Sequence, residues 1–161
     1  MNDIPSELLF EHPLLKSLQQ IFQNNAPEWE QGRAWYSDES AISSGWINGD
    51  SKVTVQIARM ASPEEASFYL QTFAWHIPLT PSDMEQACHD PANFQLPQPV
   101  MPDTKLPDLD NENHVWTRYD ERGSSLIKLR VGDLFVQVDG SSFPVTERLA
   151  RLVADHFSEG K

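Results

Sequence analysis

The sequence predicts an α+β fold: one antiparallel sheet of about six strands, built from two β-β-β-α units. Helices pack on one face of it, with a further helix at the N-terminus. Three observations carry this. Short runs of strand character come in triplets, over 33–58 and 114–139. Each triplet is followed by apolar residues at helical spacing. The best-determined hairpin turns at Gly132-Asp133, and its two arms present matched apolar pairs.

The elements follow in order. Residues 5–25 read as helix, with Pro13 suited to a first turn and Leu14, Leu18, Ile21 and Phe22 on one stripe. Asn24, Asn25 and Pro27 end it. Runs at 33–37 and 42–47, separated by Asp38-Glu39-Ser40-Ala41, precede an alternating strand with Val53, Val55 and Ile57. Ser62, Pro63 and Glu65 form a capping box that opens a helix over 62–75. Residues 76–113 hold seven of the twelve prolines and read as a functional loop or linker crossing between the units. A short helix over 82–88, capped by Ser82, interrupts it. Strands follow at 114–119, 126–131 and 134–139, then a helix over 144–157 with Val145, Leu149, Leu152, Val153 and His156 on one stripe. A two-residue turn sets Val131 opposite Leu134, Leu129 opposite Val136 and Ile127 opposite Val138 on the core face.

The halves align at an offset of 81, with Trp35 on Trp116, Val55-Gln56 on Val136-Gln137 and Pro63 on Pro144. Six of 29 aligned positions are identical, against about two by chance. We read the chain as one domain over 1–161 containing a duplication.

Twelve basic against 24 acidic residues give a net charge of −12. Nucleic acids and anionic lipids need clustered Lys and Arg, so neither is expected as a partner. No apolar run spans a bilayer, and no membrane insertion is expected. The N-terminus lacks a leader pattern, so the expectation is a soluble protein, cytoplasmic or exported with its leader removed. A single Cys excludes an internal disulfide and any Cys-built metal site.

No phosphate loop, dinucleotide fingerprint, nucleophile elbow or zinc-protease motif occurs, and no cofactor is expected. Cys88-His89-Asp90 has the ingredients of a thiol site, but adjacent side chains diverge. Asp108, Asp110 and Glu112 alternate as in a calcium loop, yet Asn113 stands at the glycine position and Tyr119 at the final glutamate. The carboxylate pairs Glu64-Glu65 and Asp120-Glu121 fall in a helix's first turn and in a turn. The five histidines (His12, His76, His89, His114, His156) show no ligand spacing, and no metal or catalytic residue is assigned.

The strand register predicts the opposite face too. It carries Tyr36, Ile47, Thr54 and Gln56 from the first unit, and Thr117, Tyr119, Leu126, Lys128, Arg130, Phe135 and Gln137 from the second. Tyr, Phe and Arg favour protein contacts. The expected partner-binding residues are therefore Tyr36, Gln56, Tyr119, Lys128, Arg130, Phe135 and Gln137. Acidic replacement of Arg130 and Phe135 is expected to weaken binding without unfolding. Two alternatives stay open: the N-terminal helices or the Pro-rich segment cover this face, or it packs sheet to sheet in a homodimer.

The run Ser125–Gly140, followed by a helix with Leu149-Ala150-Arg151, resembles the C-terminal hairpin and helix of small bacterial domains without assigned activity. The resemblance implies a non-enzymatic domain, in some cases exported. The functional expectation is a non-catalytic protein that engages a protein partner. The alternatives are a small-ligand sensor with a cavity between sheet and helices, and an enzyme with a dispersed site.

Overall fold

A computed structural model describes residues 2–3, 12–38, 40–109 and 111–159. Helix α1 (Pro13–Asn25) precedes strands β2 (Glu30–Asp38), β3 (Ala41–Asn48) and β4 (Ser51–Arg59). Helices α2 (Pro63–Thr72) and α3 (Pro81–His89) follow, then β5 (Asn113–Trp116), β6 (Ser125–Val131), β7 (Leu134–Gly140) and α4 (Phe143–Glu159). The segment Asn2–Asp3 pairs with β2 as a short edge strand, β1. All pairings are antiparallel, in the order β1-β2-β3-β4-β7-β6-β5. The part of the predicted first helix before residue 12 falls largely outside the described residues.

The hairpin at Gly132-Asp133 has the predicted register: Val131 faces Leu134, Leu129 faces Val136 and Ile127 faces Val138. Gly132 takes φ +60°, a conformation that strains residues with a Cβ. All six paired side chains are buried. Together with Val53, Val55, Ile57, Ile42 and Trp46 they form the sheet side of the core. Helices α1 and α4 close that side with Leu15, Leu18, Phe22, Leu149 and Val153, and Phe22 stacks on Trp46 at 3.8 Å between ring centroids.

Strands β4 and β7 join the two triplets, and Gln56 lies directly opposite Gln137. These two residues are equivalent at the offset of 81. A two-fold axis normal to the sheet brings equivalent residues together in this way. The correspondence ends with the strands. Helix α4 lies on the core face, whereas α2 lies on the other face against β6 and β7, with Tyr69 edge-on to Phe135 at 4.8 Å. The expected placing of helices on one face therefore holds for α1 and α4 but not for α2.

Local chemistry explains the helix starts. The Ser62 hydroxyl accepts from the Glu65 amide at 3.1 Å, and the Glu65 carboxylate accepts from the Ala61 amide at 3.1 Å. Helix α3 begins one residue earlier than expected. Thr80, not Ser82, is its cap, in a reciprocal box with Asp83 (3.1 and 2.9 Å), and Pro81 takes the first turn.

Gly140 ends β7 with its Cα hydrogen facing the buried side chain of Thr146, which donates to the Ser142 carbonyl at 2.8 Å. A methyl group here would collide with the Thr146 hydroxyl. Gly140→Ala is expected to destabilise the fold by about 2 kcal/mol in urea denaturation. Adding Thr146→Ala should recover part of that loss. An unchanged midpoint in Gly140→Ala would contradict this packing.

Candidate functional site

The face opposite the core divides into two halves. Over β5–β7 it is covered by α2 and by the Pro-rich segment. Over β2–β4 it carries Trp35, Ile47, Thr54 and Gln56, partly exposed.

Helix α2 is held on the covered half by three polar groups. Lys128, 7% exposed, donates from Nζ to the Phe73 and Trp75 carbonyls, each at 3.0 Å. Carbonyls at a helix end lack intrahelical donors, so the ammonium closes the end of α2. It also lies 5.3 Å from the Trp116 ring centroid. Burial lowers the Lys128 pKa. Arg130 Nε donates to Glu112 at 2.8 Å and Nη1 to the Gly132 carbonyl at 2.9 Å. Glu112 also accepts from Ser67 (2.9 and 2.8 Å) and Gln71 (3.1 Å) on α2. The Ser67 hydroxyl, then Gln71 and Arg130, hold the Glu112 carboxyl below its usual range against the opposing effect of burial.

The Pro-rich segment continues the cover. His76 and Val100 exchange backbone hydrogen bonds at 3.0 and 2.7 Å, and the Val100 carbonyl also accepts from Trp116 Nε1 at 2.7 Å. Further on, Asn113 bonds both backbone groups of Leu106 through its side-chain amide, at 2.7 and 3.3 Å. The segment is thus tied to the sheet at several points.

These facts relocate the expected contact residues. Lys128, Arg130 and Phe135 share the face opposite the core, but α2 covers them, and they bind this chain's own groups. Tyr119 lies beyond the end of β5 with its ring 4.4 Å from that of His76, and its hydroxyl donates to Asp139 at 2.7 and 2.9 Å. Gln56 and Gln137 face each other across the β4–β7 seam, at the border of the two halves, and both are partly exposed. Tyr36 lies on the helix side: it pairs with Ile42, and its ring meets that of His12 at 6.4 Å. The register of β2 shifts on either side of it, between Gln31 and Ala34 and between Tyr36 and Asp38, and Trp35 takes the outer position. Acidic replacement of Arg130 or Phe135 would therefore strike packing before any partner.

The other constellations do not assemble among the described residues. Cys88 is exposed, His89 lies 3.9 Å from Glu85, and Asp90 accepts from Asn93. Asp108 pairs with Arg151 at 2.9 Å and Glu112 is committed to Arg130, while Asp110 lies outside the described residues. No group of three His, Cys, Asp or Glu residues is placed to hold a metal among the described residues. None of their helices is long and apolar enough to cross a membrane.

What the strand pattern left unmarked is an aromatic ridge. Tyr69 and Phe73 meet at 4.5 Å, and Phe73 and Trp75 at 6.0 Å. All three are more than a third exposed, and Phe68, next to Tyr69 in the chain, is 71% exposed. Through Phe135, paired with Ala58, the ridge adjoins the open half of the sheet. The signal was present: only Ala66 and Leu70 of α2 are buried, although its sequence carries more apolar residues than one buried stripe requires. Searches of protein-family models, curated proteins and solved structures returned no match to the chain.

Two expected outcomes test the covered half. Lys128→Met leaves two carbonyls at the end of α2 without their donor, and should cost about 1–2 kcal/mol and speed amide exchange over 69–76. Exchange there at the wild-type rate would contradict the clamp. Asp139 gives a pH-dependent test. Burial is the main cause raising its carboxyl from 3.8 to about 6, and Asp120 adds to it. The folded state then holds the proton more tightly than the unfolded state. Stability falls as pH rises from about 4 to 6 and stays reduced above. Asp139→Asn should be more stable than wild type at pH 7.5 by roughly 2 kcal/mol, with the difference vanishing near pH 4. Parallel stability curves across that range would refute the assignment.

Proposed function

We propose that this chain is a non-catalytic binding protein that engages a protein partner through the aromatic ridge of α2 and the adjoining open half of the sheet. The supporting observation is the run of Phe68, Tyr69, Phe73 and Trp75, four large side chains each more than a third exposed. Contiguous exposed aromatics are costly in water and are the side chains that anchor protein interfaces. The charge of −12 favours a partner with basic groups around an apolar groove, since two copies of this chain repel at long range. Glu64 and Glu65, in the first turn of α2, put acidic groups on the helix that carries the ridge. The partner-binding residues move accordingly from Lys128, Arg130 and Phe135 to the outer side of α2.

The test is affinity capture with wild type beside a Phe68→Asp, Phe73→Asp double variant and a Met84→Asp control on α3. A partner recovered with wild type and the control should bind the double variant at least about thirtyfold more weakly. The double variant must keep its circular dichroism spectrum and monomer mass. Equal recovery by all three proteins would remove the ridge from the contact, and recovery of nothing would remove the main support for a binding role. Sedimentation of the wild type checks for self-association in place of a separate partner.

A further inference from the structure

Two crevices adjoin at the end of β7, and none of the four ridge aromatics lines them. One, of about 350 Å³, has His76, Ile77, Leu79, Tyr119 and Asp120 in its wall. The other, of about 270 Å³, is lined by Lys52, Thr54 and Ser141, among others. Arg122, Ser124 and Asp139 line both. Together they approach the size of small-molecule sites.

Asp120 lines only the first crevice and Lys52 only the second, while Asp139 and Arg122 are shared between them. Asp139 and Asp120 are the carboxylates of the first crevice, beside the rings of His76 and Tyr119. Lys52 and Arg122 are the cations of the second. Asp139 is largely withdrawn from water, yet the only hydrogen-bond donor to it among the described residues is the Tyr119 hydroxyl, and it forms no ion pair there. A carboxylate accepts several hydrogen bonds, so Asp139 retains capacity for a charged donor. The His76 imidazole, its pKa lowered by burial and then by Lys128 against the effect of Asp120, adds an aromatic wall without a competing charge near neutral pH. Ile77 and Leu79 supply apolar surface for a short aliphatic body.

We propose that this double crevice binds a small zwitterion, its ammonium on Asp139 beside the His76 and Tyr119 rings and its carboxylate on Arg122 and Lys52. A simple ammonium ion would meet Lys52 and Arg122 unfavourably, and a simple carboxylate would meet Asp139 and Asp120. A ligand carrying both charges satisfies both ends. None of its lining residues belongs to the ridge, although Thr54 also lies on the open half of the sheet, so the zwitterion titration tests this site without reference to a protein partner.

The experiment is titration of the labelled full chain, followed by amide chemical shifts, with 5-aminovalerate as probe and with pentylammonium and valerate as single-charge controls. Saturable shifts are expected at 52–54, 76–80, 119–124 and 139–141. The zwitterion should bind at least about tenfold more tightly than either control. Affinity should fall as pH drops through about 6, where Asp139 takes up its proton. Asp139→Asn, expected to stay folded, should lose the preference over valerate, and Arg122→Gln the preference over pentylammonium. No saturable shift, equal affinities for the three probes, or unchanged preferences in both variants would overturn the proposal.

Discussion

The seam between β4 and β7 is the constraint on which the rest of the molecule depends. Seven residue pairs, from Val53–Gly140 to Arg59–Leu134, fuse two three-stranded pieces into one sheet. Neither piece could bury Val55, Ile57, Val136 and Val138 alone, because each supplies only half of the surface that α1 and α4 close. The seam also places Gly140 under Thr146, so the start of α4 fits only where the strand carries no side chain. Arg59 closes the far end on Asp133 at 2.9 and 3.1 Å. Its side chain is half exposed, so register there rests more on the apolar ladder than on the ion pair.

Once the seam is set, the outer side of β6 and β7 needs a cover, since Leu126 and Phe135 point there. Helix α2 can serve only if the carbonyls at its end and the charges beneath it find partners. Lys128 and Arg130 meet that need. Their position resembles that of contact residues, but their hydrogen bonds are internal, to Phe73, Trp75, Gly132 and Glu112. A buried ammonium with two carbonyl acceptors defines where α2 ends more sharply than an apolar residue could, because displacement leaves polar groups unpaired.

The sequence carried the fold class, most elements and the Gly132 hairpin because those depend on local periodicity and turn chemistry. The same alternation correctly divided β6 into Ile127 and Leu129 on one side and Leu126, Lys128 and Arg130 on the other. It could not say whether the second side meets water. Leu126 on that side was the hint, since a strand buried on both faces loses its polar alternation. The side of Tyr36 was missed, because the register of β2 shifts between Gln31 and Ala34, where Gly32 stands, and again after Tyr36, which breaks the period-two rule. The candidate site was less legible than the fold. The aromatic ridge depends on which stripe of α2 faces the sheet, and that is decided by Glu112, 41 to 45 residues away along the chain.

The covering of β5–β7 has a consequence for charge. Arg59, Arg130, Arg148 and Arg151 are paired with carboxylates of this chain, and Lys128 is spent on carbonyls. Lys128 and Arg130, which the strand pattern put on an outward face, are therefore internal. With 24 acidic residues against 12 basic, the acid excess falls on the surface. An aromatic ridge in such a surface combines short-range apolar attraction with a long-range field that favours cations. The apolar contact supplies affinity by excluding water, while the field sets which partner approaches and how fast. On the proposed reading, added salt would slow association more than it speeds dissociation, because screening acts on the approach and leaves the buried ring contacts largely intact.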